Sequence, residues 1–139
     1  MAVISKTKLS LRVIGDELIP DEVSNLLGCE PTIERRKGEP FSWNKQLEQH
    51  RLAKSGMWRL EAKDKIPGNI NEQISELLIQ TSSDMDVWRS LSEKYTIDLF
   101  CGFFMESCME GISLSSQSIK DLADRFIEIE FDIYGPDDE

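Results

Sequence analysis

Apolar and polar residues alternate cleanly from Lys8 to Gly15: Leu9, Leu11 and Val13 fall on one face, Lys8, Ser10 and Arg12 on the other. A period of two predicts a half-buried strand. Met57 to Lys63 repeats the pattern, with Trp58, Leu60 and Ala62 inward and Arg59, Glu61 and Lys63 outward. A third such run, Ile127, Ile129, Phe131 and Ile133, alternates with Glu128, Glu130, Asp132 and Tyr134 and predicts a strand with a carboxylate stripe outside. The densest apolar run, Ile97 to Phe104, is apolar on both sides. That predicts a central strand covered on each face, or a face used for association. Phe100 and Phe104 are expected beneath a helix, with a dimer contact as the second reading. Ile112 to Leu114 is the next expected strand, and Ile33 to Lys37 another, ended by Gly38 and Pro40.

Helices show the longer period. Pro20 suits a first turn, Asp21 and Glu22 favour its positive end, and Val23, Leu26 and Leu27 share a face before Gly28 stops the helix. Ile70, Ile74, Leu77 and Leu78 mark a second helix, capped by Asn69 or Asn71. Thr81-Ser82-Ser83 interrupts it, and Val87, Trp88, Leu91 and Tyr95 continue the apolar face in a third helix, or past a bend. A fourth begins at Ser115 or Ser116 and carries Ile119, Leu122, Ala123 and Phe126. Residues 38–56 are expected as an irregular, mobile loop with a helical turn around Lys45 to Ala53, and 135–139 as a frayed tail. The order predicts one α+β domain over 1–139, a largely antiparallel sheet with helices mainly on one face. The strand–helix–strand pieces at the two ends allow a pseudo-duplicated, ferredoxin-like arrangement.

Charge changes this picture in one respect. The formal net charge is −10, but Met1 to Lys63 holds eleven basic and nine acidic residues, and Asp64 to Glu139 five and seventeen. An acidic chain repels phosphates, which argues against nucleic acid and for a basic protein partner or plain solubility. No apolar run reaches the roughly 18 residues of a membrane span, and the first residues lack a secretory leader. Three cysteines without close pairing suit a reducing cytoplasm.

IGDELIPDEVSNLLGCEPT, the RRKGEP turn, the GMWRLE strand and DLFCGFFMESCMEGISLSSQSIKDL leading to FDIYG occur in that order. Together they resemble the family called domain of unknown function 4279 over almost the whole chain. Leu27, Gly28, Pro31 and Thr32, the Arg-Lys-Gly turn and Cys101-Gly102 are the most characteristic pieces. The resemblance implies a small α+β domain and transfers no catalytic residue.

Arg35, Arg36 and Lys37, followed by Gly38, with Trp43 and Trp58, form the candidate ligand or anion site. Guanidinium forks grip carboxylate or phosphate, glycine admits a close approach and an indole stacks on a flat ligand. The plainer reading is that these cations neutralise the molecule's own carboxylates, such as the Glu128, Glu130 and Asp132 stripe. That stripe is the candidate partner surface, and its carboxylates, with Asp98, read as a solvated face. Cys101 alternates with core residues and reads as a small hydrophobe, Cys108 as an exposed turn residue. His50 has no metal-ligand spacing around it, and no metal or cofactor is expected. The expectation is a non-enzymatic interaction module of immunity or inhibitory type, monomeric or homodimeric. The alternative is a small-ligand or anion-binding protein, or an enzyme, built on the Arg35 to Gly38 loop.

Overall fold

A computed structural model of the chain describes residues 2–42 and 50–136. Elements follow as β1 (Ala2–Val3), β2 (Lys6–Gly15), α1 (Pro20–Leu27), β3 (Ile33–Arg35), β4 (Pro40–Ser42), β5 (His50–Leu52) and β6 (Gly56–Glu61). The second half holds α2 (Ile70–Ile79), α3 (Met85–Lys94), β7 (Thr96–Phe104), β8 (Glu110–Gly111), α4 (Ser116–Asp124) and β9 (Glu128–Tyr134). Five strands form the main sheet in the order β3-β6-β2-β7-β9, antiparallel except for the parallel pair β7 and β9.

The alternation explains which face is covered. Leu9, Leu11 and Val13 of β2, Trp58 and Leu60 of β6, and Ile97, Leu99, Cys101 and Phe103 of β7 are all buried. They pack with Val23 and Leu27 of α1, Ile70, Ile74 and Leu77 of α2, Trp88 and Leu91 of α3, and Leu122 of α4 in one core. Among the described residues, the opposite face of the sheet carries no helix. This is the α+β architecture with helices on one face.

Local signals set the helix ends as anticipated. Pro20 opens α1 and Gly28 closes it at φ 77°, in the left-handed region that glycine enters without Cβ strain. Asn69 caps α2 by accepting from the Glu72 N–H, and Ser115 caps α4 through the Ser118 N–H. The serine run does separate α2 from α3, and Asp84 caps α3 by accepting from the Asp86 N–H. α4 ends without glycine: Phe126 takes φ 60°, and Ile127 N–H reaches back to the Leu122 carbonyl (3.0 Å).

Several expectations are corrected. Ile112 to Leu114 is not a strand; β8 stops at Gly111, and Asn71 of α2 takes the chain over, donating to the Ser113 carbonyl (3.0 Å) and accepting from the Ser115 N–H (2.9 Å). β8 pairs with β1 outside the main sheet, so the second strand–helix–strand piece expected of an internal repeat lacks its first strand. Of the helical turn expected around Lys45 to Ala53, residues 45–49 lie outside the described residues, and 50–52 is a strand paired antiparallel with 40–42. Phe100 and Phe104 lie on the open face, half-buried, under side chains rather than a helix. The Arg12 guanidinium sits 4.7 Å from the Phe100 ring centroid, and Tyr134 stacks on Phe104 at 4.8 Å.

Candidate functional site

Sheet order separates the two candidate surfaces. β3, which leads into the basic turn, and β9, which carries the acidic stripe, are opposite edges of the sheet. The cations at 35–37 therefore do not neutralise Glu128, Glu130 and Asp132, as the plainer sequence reading supposed.

At the β3 edge, Arg36 to Glu39 forms a tight turn closed by Glu39 N–H to the Arg36 carbonyl (3.1 Å). Its third residue, Gly38, has φ 84°, the conformation this kind of turn demands. Gly38 therefore serves the turn rather than a ligand. Lys37 Nζ pairs with Asp16 Oδ2 at 3.1 Å, and Ser55 Oγ donates to Asp16 Oδ1 at 3.1 Å. These bonds, Lys37 first, lower the Asp16 carboxyl pKa. A cavity of about 180 Å³ opens here, but Asp21, Glu34 and Glu39 line it together with Arg35 and Arg36. Three carboxylates beside two guanidinium groups make a poor anion trap. A second cleft, of about 330 Å³, is lined by Ile14, Leu52, Ala53 and Met57 together with Arg35 and Lys54. Trp58 belongs to neither. It is wholly buried, and its Nε1–H donates to Ser24 Oγ (3.0 Å) under α1, so the stacking role expected of it is corrected. The indole sits in the covered layer because Trp58 shares the inward register of Leu60. Trp43 lies outside the described residues.

At the opposite edge, the stripe is assembled by register. Parallel pairing sets Asp98 beside Glu128, Phe100 beside Glu130, Gly102 beside Asp132 and Phe104 beside Tyr134, all on the open face. Gly102 leaves room for the Phe104 ring, which would lie 3.4 Å from a Cβ placed there. Glu128, Glu130 and Asp132 are exposed. Asp98 is not: it is 3% exposed and grips Arg12 with two bonds, Nε to Oδ1 at 2.8 Å and Nη2 to Oδ2 at 2.7 Å. That corrects its reading as a solvated carboxylate. Arg12 Nη2 also reaches Glu130 Oε2 at 3.3 Å. The Asp98 bond, then the surrounding carboxylates, raise the Arg12 pKa against the opposing pull of burial. Sequence reasoning missed Arg12; its outward position on β2 was visible, but the crossing to Asp98 needs the β2–β7 register.

β9 differs from the expected half-buried strand in a second way. Ile129 is half-buried, but Phe131 is 49% and Ile133 64% exposed, so its apolar side emerges where no described helix roofs it. The phenyl of Phe131 meets Phe103 at 5.3 Å between centroids, which tethers one side of an otherwise open strand.

The remaining chemistry is quiet. Burial, then the Asp98 charge, pushes the Cys101 thiol up to about 12, which keeps it a thiol at neutral pH. Burial also raises Cys29. Glu110 is a structural carboxylate: it accepts from Ser5 and from the Glu106 and Ser107 N–H groups, closing the loop after β7. Its partial desolvation would raise the pKa, but these bonds outweigh it and lower it. Among the described residues no group of three or more His, Cys, Asp or Glu side chains could hold a metal ion, and no helix is long and apolar enough to cross a membrane.

Fold and surface together define a small α+β domain with a one-sided helical layer and one acidic sheet edge with which no other described strand pairs. The chain belongs to the family Domain of unknown function (DUF4279), whose model matches residues 5–136. No curated protein and no solved structure matches it.

Proposed function

We propose that the protein is a non-enzymatic interaction module, of immunity or inhibitory type, whose partner is a basic protein. The observation that carries this reading is the β9 edge, where Glu128, Glu130 and Asp132 stand exposed beside exposed Phe131 and Ile133. The strand thus offers charge of one sign on its open face and exposed apolar side chains on the other, and the charged face suits a partner of opposite sign. The buried, high-pKa Cys101 also argues against thiol chemistry, and three free cysteines suit a reducing, cytoplasmic setting. The test is affinity capture from the native host at low and high salt, with the chain and its Glu128→Lys/Glu130→Lys/Asp132→Lys variant as baits. A basic protein held by the first and lost by the second supports the reading; an unchanged set of captured proteins removes it.

A second reading rests on the Arg35 cleft. Its apolar walls and about 330 Å³ fit a small molecule with an apolar body and an anionic end, at the lower end of ligand-pocket sizes. A thermal-shift screen of small aliphatic and aromatic carboxylates checks it. Stabilisation that disappears in Arg35→Ala supports it, and no stabilisation by any of them ends it.

A further inference from the structure

The parallel ladder fixes which backbone groups of β9 are already used. The Tyr134 carbonyl accepts from the Met105 N–H at 3.0 Å, so Tyr134 turns its peptide groups towards β7. Successive residues of a strand alternate, so Glu128, Glu130 and Asp132 do the same, and Ile129, Phe131 and Ile133 turn their N–H and C=O groups away from the sheet. β9 is last in the sheet order, and no described residue pairs with that outer side. A seven-residue strand with an open ladder is an invitation to another strand.

A second copy of this chain is a poor occupant. Full-length antiparallel self-pairing, centred on the outward-facing Phe131, sets Glu130 directly opposite the other copy's Asp132, twice over. Directly opposed like charges destabilise a pair of strands. The same stripe selects an occupant of opposite sign, because residues facing Glu128, Glu130 and Asp132 project onto the same open face.

We infer that β9 accepts an extended segment of another protein as a sixth strand, the segment carrying Lys or Arg at alternate positions and apolar residues between them. The cations meet Glu128, Glu130 and Asp132; the apolar residues lie beside Ile129, Phe131 and Ile133. Main-chain bonds to those three residues supply affinity, and the side-chain alternation supplies selectivity. This inference rests on the basic-partner reading and adds its mode.

The probe is a synthetic seven-residue peptide of alternating lysine and valine, followed by fluorescence anisotropy at low salt. Binding is expected, weakening with salt and absent for the glutamate–valine analogue. N-methylation of alternate amides in the register that faces β9 should weaken binding at least about tenfold, since several hydrogen bonds vanish. The other register should have little effect. Ile133→Pro, which removes an outward N–H and leaves the β7 ladder intact, should weaken binding similarly while the domain stays folded. Should that variant unfold, the N-methyl peptides carry the test alone. Binding indifferent to N-methylation in either register overturns strand addition and leaves the acidic-surface reading standing. No binding at low salt also overturns it, with the wider reading judged by the capture experiment. A wild-type dimer in sedimentation that Ile133→Pro dissociates overturns it too, by naming a second copy as the occupant.

Discussion

The two edges of the sheet are finished in opposite ways. β3 is three residues long and runs at once into a tight turn tied to the neighbouring segment, with Gly38 N–H bonded to the Ala53 carbonyl (2.8 Å) and Ala53 N–H to that of Glu39 (2.9 Å). Its charges are spent locally, Lys37 on Asp16. β9 is more than twice as long, open along its outer side among the described residues, and lined by carboxylates of which Glu130 pairs with Arg12. Short, turned-away strands are a common way to blunt an edge, and charge is another. One blocks every partner, whereas the other excludes only partners of like sign. That difference makes β9, rather than the cation-rich turn, the more selective surface.

The strands just inside each edge are anchored differently too, and substitutions there should have the largest effects. Trp58 on β6 is held by packing and a bond to Ser24 under α1; Trp58→Ala should cost about 4 kcal/mol in denaturant unfolding, and Trp58→Phe clearly less. Asp98 on β7 is held by Arg12 on the open face. Asp98→Ala should cost about 3 kcal/mol by leaving Arg12 half-buried without its main partner, whereas Arg12→Met/Asp98→Leu together should be close to neutral. If both single changes cost the same as exposed-surface changes, the two anchors are not what holds the edges. Phe126→Gly, in the left-handed turn that delivers β9, should gain up to about 1 kcal/mol, read from the same unfolding curves.

Smaller effects sharpen the contrast. Glu128→Gln/Glu130→Gln/Asp132→Asn should leave the melting temperature nearly unchanged but permit concentration-dependent self-association, visible in sedimentation velocity. At the other edge, Lys37→Ala should raise the Asp16 carboxyl pKa towards its ordinary value in an NMR titration. The sign follows from the lowered folded-state pKa: the Asp16 contribution is present above the unfolded value and fades as pH falls through the folded one. Losing Lys37 therefore flattens the acid limb slightly: it removes a small contribution at neutral pH and leaves stability unchanged below the folded-state pKa.

Much of the fold was legible because its rules are local. Alternation placed Leu9, Leu11, Val13, Trp58 and Leu60 on the inner face, and cap chemistry marked Asn69, Ser115 and Gly28. The candidate sites were less legible. Trp58 was assigned inward by its period and yet considered as a ligand platform; burial under α1 decides against the second role. Asp98 looked like one more outward carboxylate, and only the facing strand supplies Arg12. Ile112 to Leu114 had strand composition, but a strand needs a neighbour, and the side chain of Asn71 claimed the segment instead.

By itself, the order of residues determined which side of each strand is apolar, where helices begin and stop, and the acidic balance of the second half. Only tertiary structure decided that β9 lies outermost, that its outer hydrogen-bonding groups belong to Ile129, Phe131 and Ile133, and that the basic turn is remote from the acidic stripe. The physical reason is one of range. Periodicity and caps act within a few residues, whereas strand order and register depend on contacts between segments far apart in the chain, such as Arg12 with Asp98 and Glu130.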